Sequence, residues 1–528
     1  MNEAKRIERL IDRIGDFEPG TVSLVGAGPG DGTLVSVRGA VRLFQADVVV
    51  YDELIRRELL DLVQPEAQRI PVRARQGELA DAKKQVAEVM IKHASSGKHV
   101  VRLCMGDPFA LGWASEESTY LAEAGIRFEV VPGIADAVGL SATAGIPLTH
   151  RGLSRSVAFV TSHENEQQRG EAEFEALAGM ETVVLTLEAG DLRFHCEGLI
   201  DAGKAASTPA AAIFGGTCVS QQTIIGTIGD IADRVAAEAI QLECTIVIGQ
   251  VVRLREQLEW FERRPLYGQT IAVTRTPEQA AGLSGALLAQ GAEVIEAPAI
   301  ELADMEDLSQ VDGVLRRIAT YDWLVLTSAN GVDSVFRRLQ ALGADSRALG
   351  GVRIAAVGTA TASRLASYGV RADLVPPEAV GESLAQSLID RSVRGRRILL
   401  LRAQVSREHV PVALRAAGAV CDDIAVYRTV CPRSLPAAFL KRFDQGDMDW
   451  ITLTSPSSFV NLCTLLGADR AEALGRVKLA SMGPVTTAAI QDRGYAETCE
   501  ANPHNVHGLV SAIVAAVNQR SGRHDRVL

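Results

Sequence analysis

The sequence predicts an α/β protein built as two consecutive parts, on three observations. Short apolar runs alternate with helix-period stretches from about residue 22 to 254. One of those runs, 22–25, ends in the glycine-rich turn GAGPGD and is followed by helical spacing, which is how an α/β sheet builds a small-molecule site at its carboxyl edge. The second half repeats itself: LTSANGV to RIAAVGTATASRLASYG over 326–369 returns as LTSPSSF to VKLASMGPVTTAAIQDRG over 453–494, so two similar α/β lobes are expected there.

Composition narrows the function classes. A chain of 528 residues holds more than one domain. Its 47% hydrophobic and 23% charged content is ordinary for a soluble globular protein. A net charge of −11 argues against broad nucleic-acid binding. No apolar run is long enough to span a bilayer, and the opening MNEAKRIERLIDRIG lacks the apolar core of a signal peptide. The eight cysteines form no CxxC and the nine histidines no ligand spacing, so neither a metal nor a disulfide framework is expected and a cytoplasmic protein is.

Taken in order, Ile7, Leu10, Ile11 and Ile14 make a helical stripe within 4–14. The spacing of Leu34, Val37, Ala40, Val41 and Phe44 predicts a helix over 33–44 with those residues on one face. Further strands are expected at 46–51, 99–103, 128–131, 157–161, 182–187, 210–214 and 245–248. The charged stretch 254–267 ends at a proline before a new strand, 270–274, and reads as a boundary. The expected domains are 1–20 (a helical extension), 21–255, a linker over 256–267, and 268–520. Within the last, one lobe takes 268–300 with 430–520 and the other 301–429, so the chain crosses between lobes twice.

Chemistry in the first part gathers at three strand-to-turn junctions. Gly26, Gly28 and Gly30 let the backbone approach a ligand closely. The turn is not GxGxxG, because Asp31 replaces the last glycine and Pro29 removes a donor. Asp52 ends VVVYD about 20 residues on, where a ribose-binding acid stands in dinucleotide folds, so the local pattern leaves a nicotinamide site open. The other junctions are the turn 105–108, MGDP, and the segment VVPGIADAVGLSATAGIPLTHR over 130–151.

In this order and spacing, VGAGPGD, MGDP and AGIPLTHRGL resemble the tetrapyrrole methylase family over about 22–255, most nearly its uroporphyrinogen-III C-methyltransferases. The resemblance implies a two-subdomain α/β fold, usually a homodimer through this domain. It implies S-adenosylmethionine as cofactor and two methylations of uroporphyrinogen III to precorrin-2, toward sirohaem and cobalamin. Carried over by position, the cofactor contacts are Pro29, Met105, Gly106, Asp107, Ala110, Ala135, Asp136, Leu187 and Ala211. Asp52 takes the acid/base position, because the attacking carbon must lose a proton. Arg102 and Arg151 are candidate partners of substrate propionates. The chain departs from the family at Ala74, Met105, Asp136 and Leu187.

The repeat resembles the uroporphyrinogen-III synthase family over about 268–517, on TSANGV, AAVGTATASRL, AVYRT, LTSPSS and MGPVTTAAI. That implies a two-lobed fold which closes linear hydroxymethylbilane into uroporphyrinogen III with release of water, without a cofactor. Tyr427 matches the tyrosine placed near the family's cleft, where it assists departure of the hydroxyl, and Thr486 is the second catalytic candidate. Ser328 and Ser455 offer hydroxyls at helix starts, where they either meet substrate or only cap the helix. Arg275 and Arg402 stand at strand ends as candidate carboxylate partners. The joint expectation is a bifunctional tetrapyrrole enzyme acting on small-molecule substrates, with no nucleic-acid or membrane partner. Its alternative is a working synthase fused to a methylase-like scaffold that has lost activity.

Overall fold

The computed structural model describes residues 11–521 apart from 17, 54, 73–78, 112–113, 162–170, 239, 241–242 and 497–498. Most of the stripe expected over 4–14, and Ala74, lie outside the described residues. The chain divides into two compact units, Met1–Gln269 with Ala289–Glu293, and Thr270–Leu288 with Val294–Leu528. Among the described residues no helix is long and apolar enough to cross a membrane.

The first unit opens with β1 (Thr21–Gly26), β2 (Val48–Asp52), β3 (Gln68–Val72), β4 (Val100–Cys104) and β5 (Arg127–Val131), in sheet order β3-β2-β4-β1-β5. All its pairings are parallel. Both faces are covered, so the inner strands read as unbroken apolar runs: Val22, Leu24, Val48, Val49, Val50, Val100 and Val101 are fully buried. Because β1 lies between β4 and β5, the turns that follow these three strands stand side by side at the carboxyl edge.

The helix expected over 33–44 is shorter and turned differently. Ser36 accepts from Gly39 N at 3.1 Å and starts α1 at Val37–Gln45. Leu43 and Arg42 face inward, while Val37 and Phe44 are exposed. Arg42 is drawn in by Glu129, which accepts its Nε–H at 2.5 Å and the Ser23 hydroxyl at 2.5 Å. Glu129 is thereby held below the ordinary carboxylate range, the Arg42 and Ser23 hydrogen bonds outweighing its partial desolvation.

Two further helices carry site residues, α2 (Ala114–Glu123) and α3 (Asp136–Thr143). The second sheet comprises β6 (Val157–Thr161), β7 (Thr182–Glu188), β8 (Pro209–Phe214), β9 (Gln222–Thr227) and β10 (Glu243–Gly249), ordered β6-β7-β10-β8-β9. Only β6–β7 is parallel. Alternation along β7 sends Val183, Leu185 and Leu187 into a core with Leu192, Cys196 and Leu199, and Val184 to the opposite face with Ala137 and Leu140 of α3. The stretch 256–267, expected as a linker, packs on this unit instead. Phe261 and Leu266 are buried, Trp260 Nε1 donates to Ala142 O at 3.0 Å, and Arg255 pairs with Glu262 at 2.6 Å.

The second unit holds β11 (Thr270–Val273), β12 (Glu293–Glu296), β13 (Glu301–Asp304), β14 (Trp323–Leu326), β15 (Arg353–Ala356), β16 (Arg397–Ala403), β17 (Val420–Val430), β18 (Trp450–Leu453), β19 (Lys478–Ser481) and β20 (Cys499–Glu500). They form two sheets, β12-β11-β18-β19-β20 and β13-β17-β16-β14-β15. The chain leaves the first sheet after β12 and returns after β17, and β13 pairs antiparallel with β17. The repeat is structural as well. β14 and β18 each begin with a buried tryptophan and are followed, two residues past the strand end, by a serine that caps the next helix, α4 (Ala329–Ala341) or α5 (Pro456–Leu466). A cation from the neighbouring strand covers each ring, Arg353 over Trp323 at 4.8 Å and Lys478 over Trp450 at 5.1 Å.

Candidate functional site

At the carboxyl edge of the first sheet the glycine turn and the 105–108 turn are joined. Gly28 N donates to Gly106 O at 3.1 Å and Gly106 N to Gly28 O at 3.0 Å. Both glycines have left-handed backbones, φ +80° and +59°. The third turn closes on them: a Cβ at Gly133 would lie 2.3 Å from Gly106 O, and one at Gly26 would lie 2.6 Å from Gly133 Cα. Asp107, expected at the cofactor, clips this assembly with its carboxylate. Oδ2 accepts from Gly133 N at 2.9 Å, and Oδ1 from Phe109 N at 2.9 Å and Ala110 N at 2.7 Å. Ala110 therefore has its amide committed internally, while its methyl side is exposed.

Asp52 stands beside the junction, held at two points. Its Oδ2 accepts Met105 N–H at 3.0 Å and its Oδ1 lies 2.6 Å from Arg102 Nη2. The Asp52 side chain keeps 30% exposure, whereas Arg102 keeps 4%. Arg102 is thus a correction. Its guanidinium is spent on Glu117 of α2 at 2.8 and 3.0 Å, on Leu103 O at 2.9 Å and on Asp52, so it positions the aspartate and does not present itself to a propionate. The Met105 side chain packs on the core that contains Ile55 and Leu59.

The opposite wall comes from α3 and the second sheet. The Pro29 ring sits over Gly139, where a Cβ would be 2.4 Å from Pro29 Cγ. Thr217 ties the glycine turn to the second sheet: its hydroxyl donates to Pro29 O at 3.2 Å and accepts from Asp31 N at 2.8 Å. Thr217 has φ +61°, and Gln221 steadies it by accepting its N–H at 3.0 Å and the Thr143 hydroxyl at 2.7 Å. Sequence reasoning missed Thr217, whose left-handed non-glycine backbone leaves no mark in residue type, and Gln221, which steadies it, and did not single out Gly133 within the 130–151 junction. Ala135 caps α3 by its backbone alone, and Ala211 lies buried on the α3 face of the sheet. Leu187 is a second correction: strand alternation buries its side chain in the core on the opposite face. Arg151 is exposed in the turn closed by His150 and Ser154.

Asp136, the first residue of α3, has its Oδ1 buried without a hydrogen-bond partner. A Cβ at Gly106 would stand 3.1 Å from that oxygen, which places the carboxyl against the junction. Burial, and then the charge of Glu243, push its pKa up to about 7. Side-chain-free turns at 26, 28, 106 and 133 and an orphaned polar oxygen are what a compact nucleoside with charged groups requires, so these residues fit S-adenosylmethionine. Among the described residues no group of His, Cys, Asp and Glu could hold a metal ion.

In the second unit, Tyr427 of β17 lies in the core around β14 and α4, with its hydroxyl 3.1 Å from Ser328 Oγ. Ser328 caps α4 by accepting Gly331 N–H at 3.0 Å. Ser455 caps α5 in a reciprocal capping box with Ser458 and also meets Ser457 Oγ at 3.0 Å. Thr486, on the first turn of α6 (Pro484–Gln491), is buried. Arg275 follows β11 with Nε buried and unpartnered, and its pKa is lowered by desolvation. Arg402 is a third correction. Its guanidinium binds both oxygens of Asp423 at 2.6 and 2.5 Å, together with Glu408 and Ser406 at 2.6 Å. The Asp423 and Glu408 hydrogen bonds raise its pKa against the pull of desolvation, and it is not free for a substrate carboxylate.

Comparison with known proteins matches residues 21–232 to Tetrapyrrole (Corrin/Porphyrin) Methylases and residues 281–511 to Uroporphyrinogen-III synthase HemD. The porphyrin biosynthesis protein HemD of Ruminiclostridium josui is 33% identical over 443 residues, 84% of this chain and 88% of its own. The siroheme synthase of Pseudomonas fluorescens (strain Pf0-1) is 42% identical over 261 residues, 49% of this chain, and the match spans 56% of that protein's length. A solved uroporphyrin-III C-methyl transferase from Thermus thermophilus, complexed with S-adenyl homocysteine, is 28% identical over 44% of this chain and 99% of its own, with a TM-score of 0.38.

Proposed function

The chain belongs to the HemD porphyrin-biosynthesis family, with a tetrapyrrole methylase module ahead of its uroporphyrinogen-III synthase module, and from that premise we propose that it carries out two consecutive steps of tetrapyrrole synthesis. The second unit closes hydroxymethylbilane to uroporphyrinogen III, and the first unit C-methylates that product to precorrin-2. The observation that carries the methylase reading is the Gly28–Gly106 junction with Asp52 fixed beside it.

S-adenosylmethionine, when bound, supplies an electrophilic sulfonium methyl group. Such a methyl needs alignment more than activation, and the side-chain-free turns provide a close backbone cradle for it. Pro29, Gly106, Ala135 and Asp136 are the residues that would hold the cofactor. Asp52, oriented by Arg102 and the Met105 amide, accepts the proton that the methylated pyrrole carbon must lose. In the second unit the Tyr427 hydroxyl, placed by Ser328, hands a proton to the departing hydroxyl, and Arg275, which has an unpartnered nitrogen, meets a substrate carboxylate.

The test is incubation with hydroxymethylbilane, with and without S-adenosylmethionine, followed by mass spectrometry of the pigments. Uroporphyrinogen III alone without the cofactor, and a doubly methylated product with it, is the expected result. Ring closure with no added methyl under either condition would leave only the synthase.

A further inference from the structure

Asp136 occupies an unusual setting for a carboxyl group. It opens α3 with no side-chain cap beside it, lies against the backbone of the Gly106 turn, and has one oxygen sealed from solvent without a partner. A buried carboxylate without a partner is costly unless it is protonated or meets a cation. Of the charged groups on the elements packed against α3, those at the Asp136 end are acidic, while Arg255 donates to Ala144 O at the far end of the helix and is paired with Glu262. Glu243 begins β10, Glu188 lies directly across from it on β7, Asp107 follows Gly106, and Asp31 follows the Pro29 that rests on Gly139. Glu243 is itself raised, by burial and then by Glu188. Asp107 is committed to the backbone amides of the 105–110 and 133 turns.

We propose that Asp136 is the counter-ion for the positive charge of the cofactor, and that the cofactor binds in exchange for the proton which Asp136 carries when the site is empty. The inference rests on the methylase reading and deepens it by naming which charge of the ligand this chain reads. An acidic wall with its proton in place is neutral toward the empty cleft and becomes anionic only against a cation. Below neutral pH, therefore, each bound cofactor displaces close to one proton, and binding tightens with rising pH until the carboxyl is already ionised.

The experiment is calorimetric titration of the full chain at pH 6 and pH 8 in two buffers of different ionisation enthalpy, which reads protons released per ligand bound without reference to turnover. Three probes separate the charges: S-adenosylmethionine carries an ammonium and a sulfonium, S-adenosylhomocysteine the ammonium only, and methylthioadenosine neither. The expected result is release of close to one proton at pH 6 and little at pH 8 with the first probe, and none with methylthioadenosine. Release with S-adenosylhomocysteine assigns the ammonium as partner, and its absence assigns the sulfonium. In Asp136→Asn and Asp136→Ser the release at pH 6 should vanish and affinity for the cationic probe should fall at least 10-fold, with methylthioadenosine little affected. Should neither variant fold, the three-probe series on the parent protein still decides. Binding without proton release, or equal release with methylthioadenosine, overturns the inference and spares the methylase reading; no binding of any probe overturns that reading.

Discussion

Gly28 and Gly106 exchange both of their backbone hydrogen bonds across the carboxyl edge of the first sheet, at 3.1 and 3.0 Å. That exchange leaves no room for a side chain in the third turn, where a Cβ on Gly133 would stand 2.3 Å from Gly106 O. Gly133→Ala is expected to prise the turns apart, at a cost of about 1–3 kcal/mol from overpacking, and to weaken S-adenosylmethionine binding at least 10-fold by calorimetry. Ring closure of hydroxymethylbilane should continue at the parent rate, because the substitution lies in the other unit.

Arg102 and Glu117 form an almost fully buried pair, with side chains 4% and 2% exposed. Arg102→Met strands Glu117 without its cation, and breaking such a pair costs about 3–5 kcal/mol. The midpoint of the unfolding transition that S-adenosylmethionine shifts should fall, and methyl transfer should drop as Asp52 loses its orientation. A raised KM for the tetrapyrrole with unchanged stability would instead return Arg102 to the role of substrate partner.

These two cases show what residue order discloses and what it hides. The buried centre of the first sheet is legible because parallel strands covered on both faces must be apolar throughout, and the second sheet's inner strands β7, β8 and β10 are as apolar although they pair antiparallel. The edge strands β3 and β9 escape notice: they are half exposed, and Pro71 and Gly226 interrupt them. The exposed face of α1 is misread because Arg42 turns inward to Glu129, a partner 87 residues away. Arg102 and Arg402 look like substrate ligands until Glu117 and Asp423 are seen beside them. A chain shows which residues carry charge, but not which charges are already matched.

Tyr427 and Ser328 meet at 3.1 Å between two elements almost a hundred residues apart in the chain. Tyr427→Phe keeps the buried ring and removes only the hydroxyl. The expected outcome is a loss of ring closure on the order of 10²-fold, the usual worth of a positioned general acid, with methylation of supplied uroporphyrinogen III unaffected. Ser328→Ala should act more weakly on turnover, while costing about 1 kcal/mol of stability as a lost helix cap. If Tyr427→Phe closes the ring at the parent rate, the hydroxyl is a structural anchor and the proton donor lies elsewhere.

Asp136 makes stability depend on pH in a definite direction. Burial and Glu243 raise its pKa from 3.8 to about 7 in the folded chain. Between those values the folded protein holds a proton that the unfolded chain has released, so this group's contribution to stability is present in full below pH 4 and is lost as pH climbs toward and through 7. Asp136→Asn removes the titration. In the absence of cofactor the variant should gain little over the parent near pH 4 and progressively more up to pH 8, by at most about 4 kcal/mol. Urea unfolding midpoints of parent and variant across that range measure the difference. Saturating S-adenosylmethionine should shrink or reverse the gain at pH 8, because a carboxylate facing a cation no longer destabilises the fold that holds it. A gain that is instead largest at pH 4 and fades toward pH 8 would place the unfavourable charge on another group.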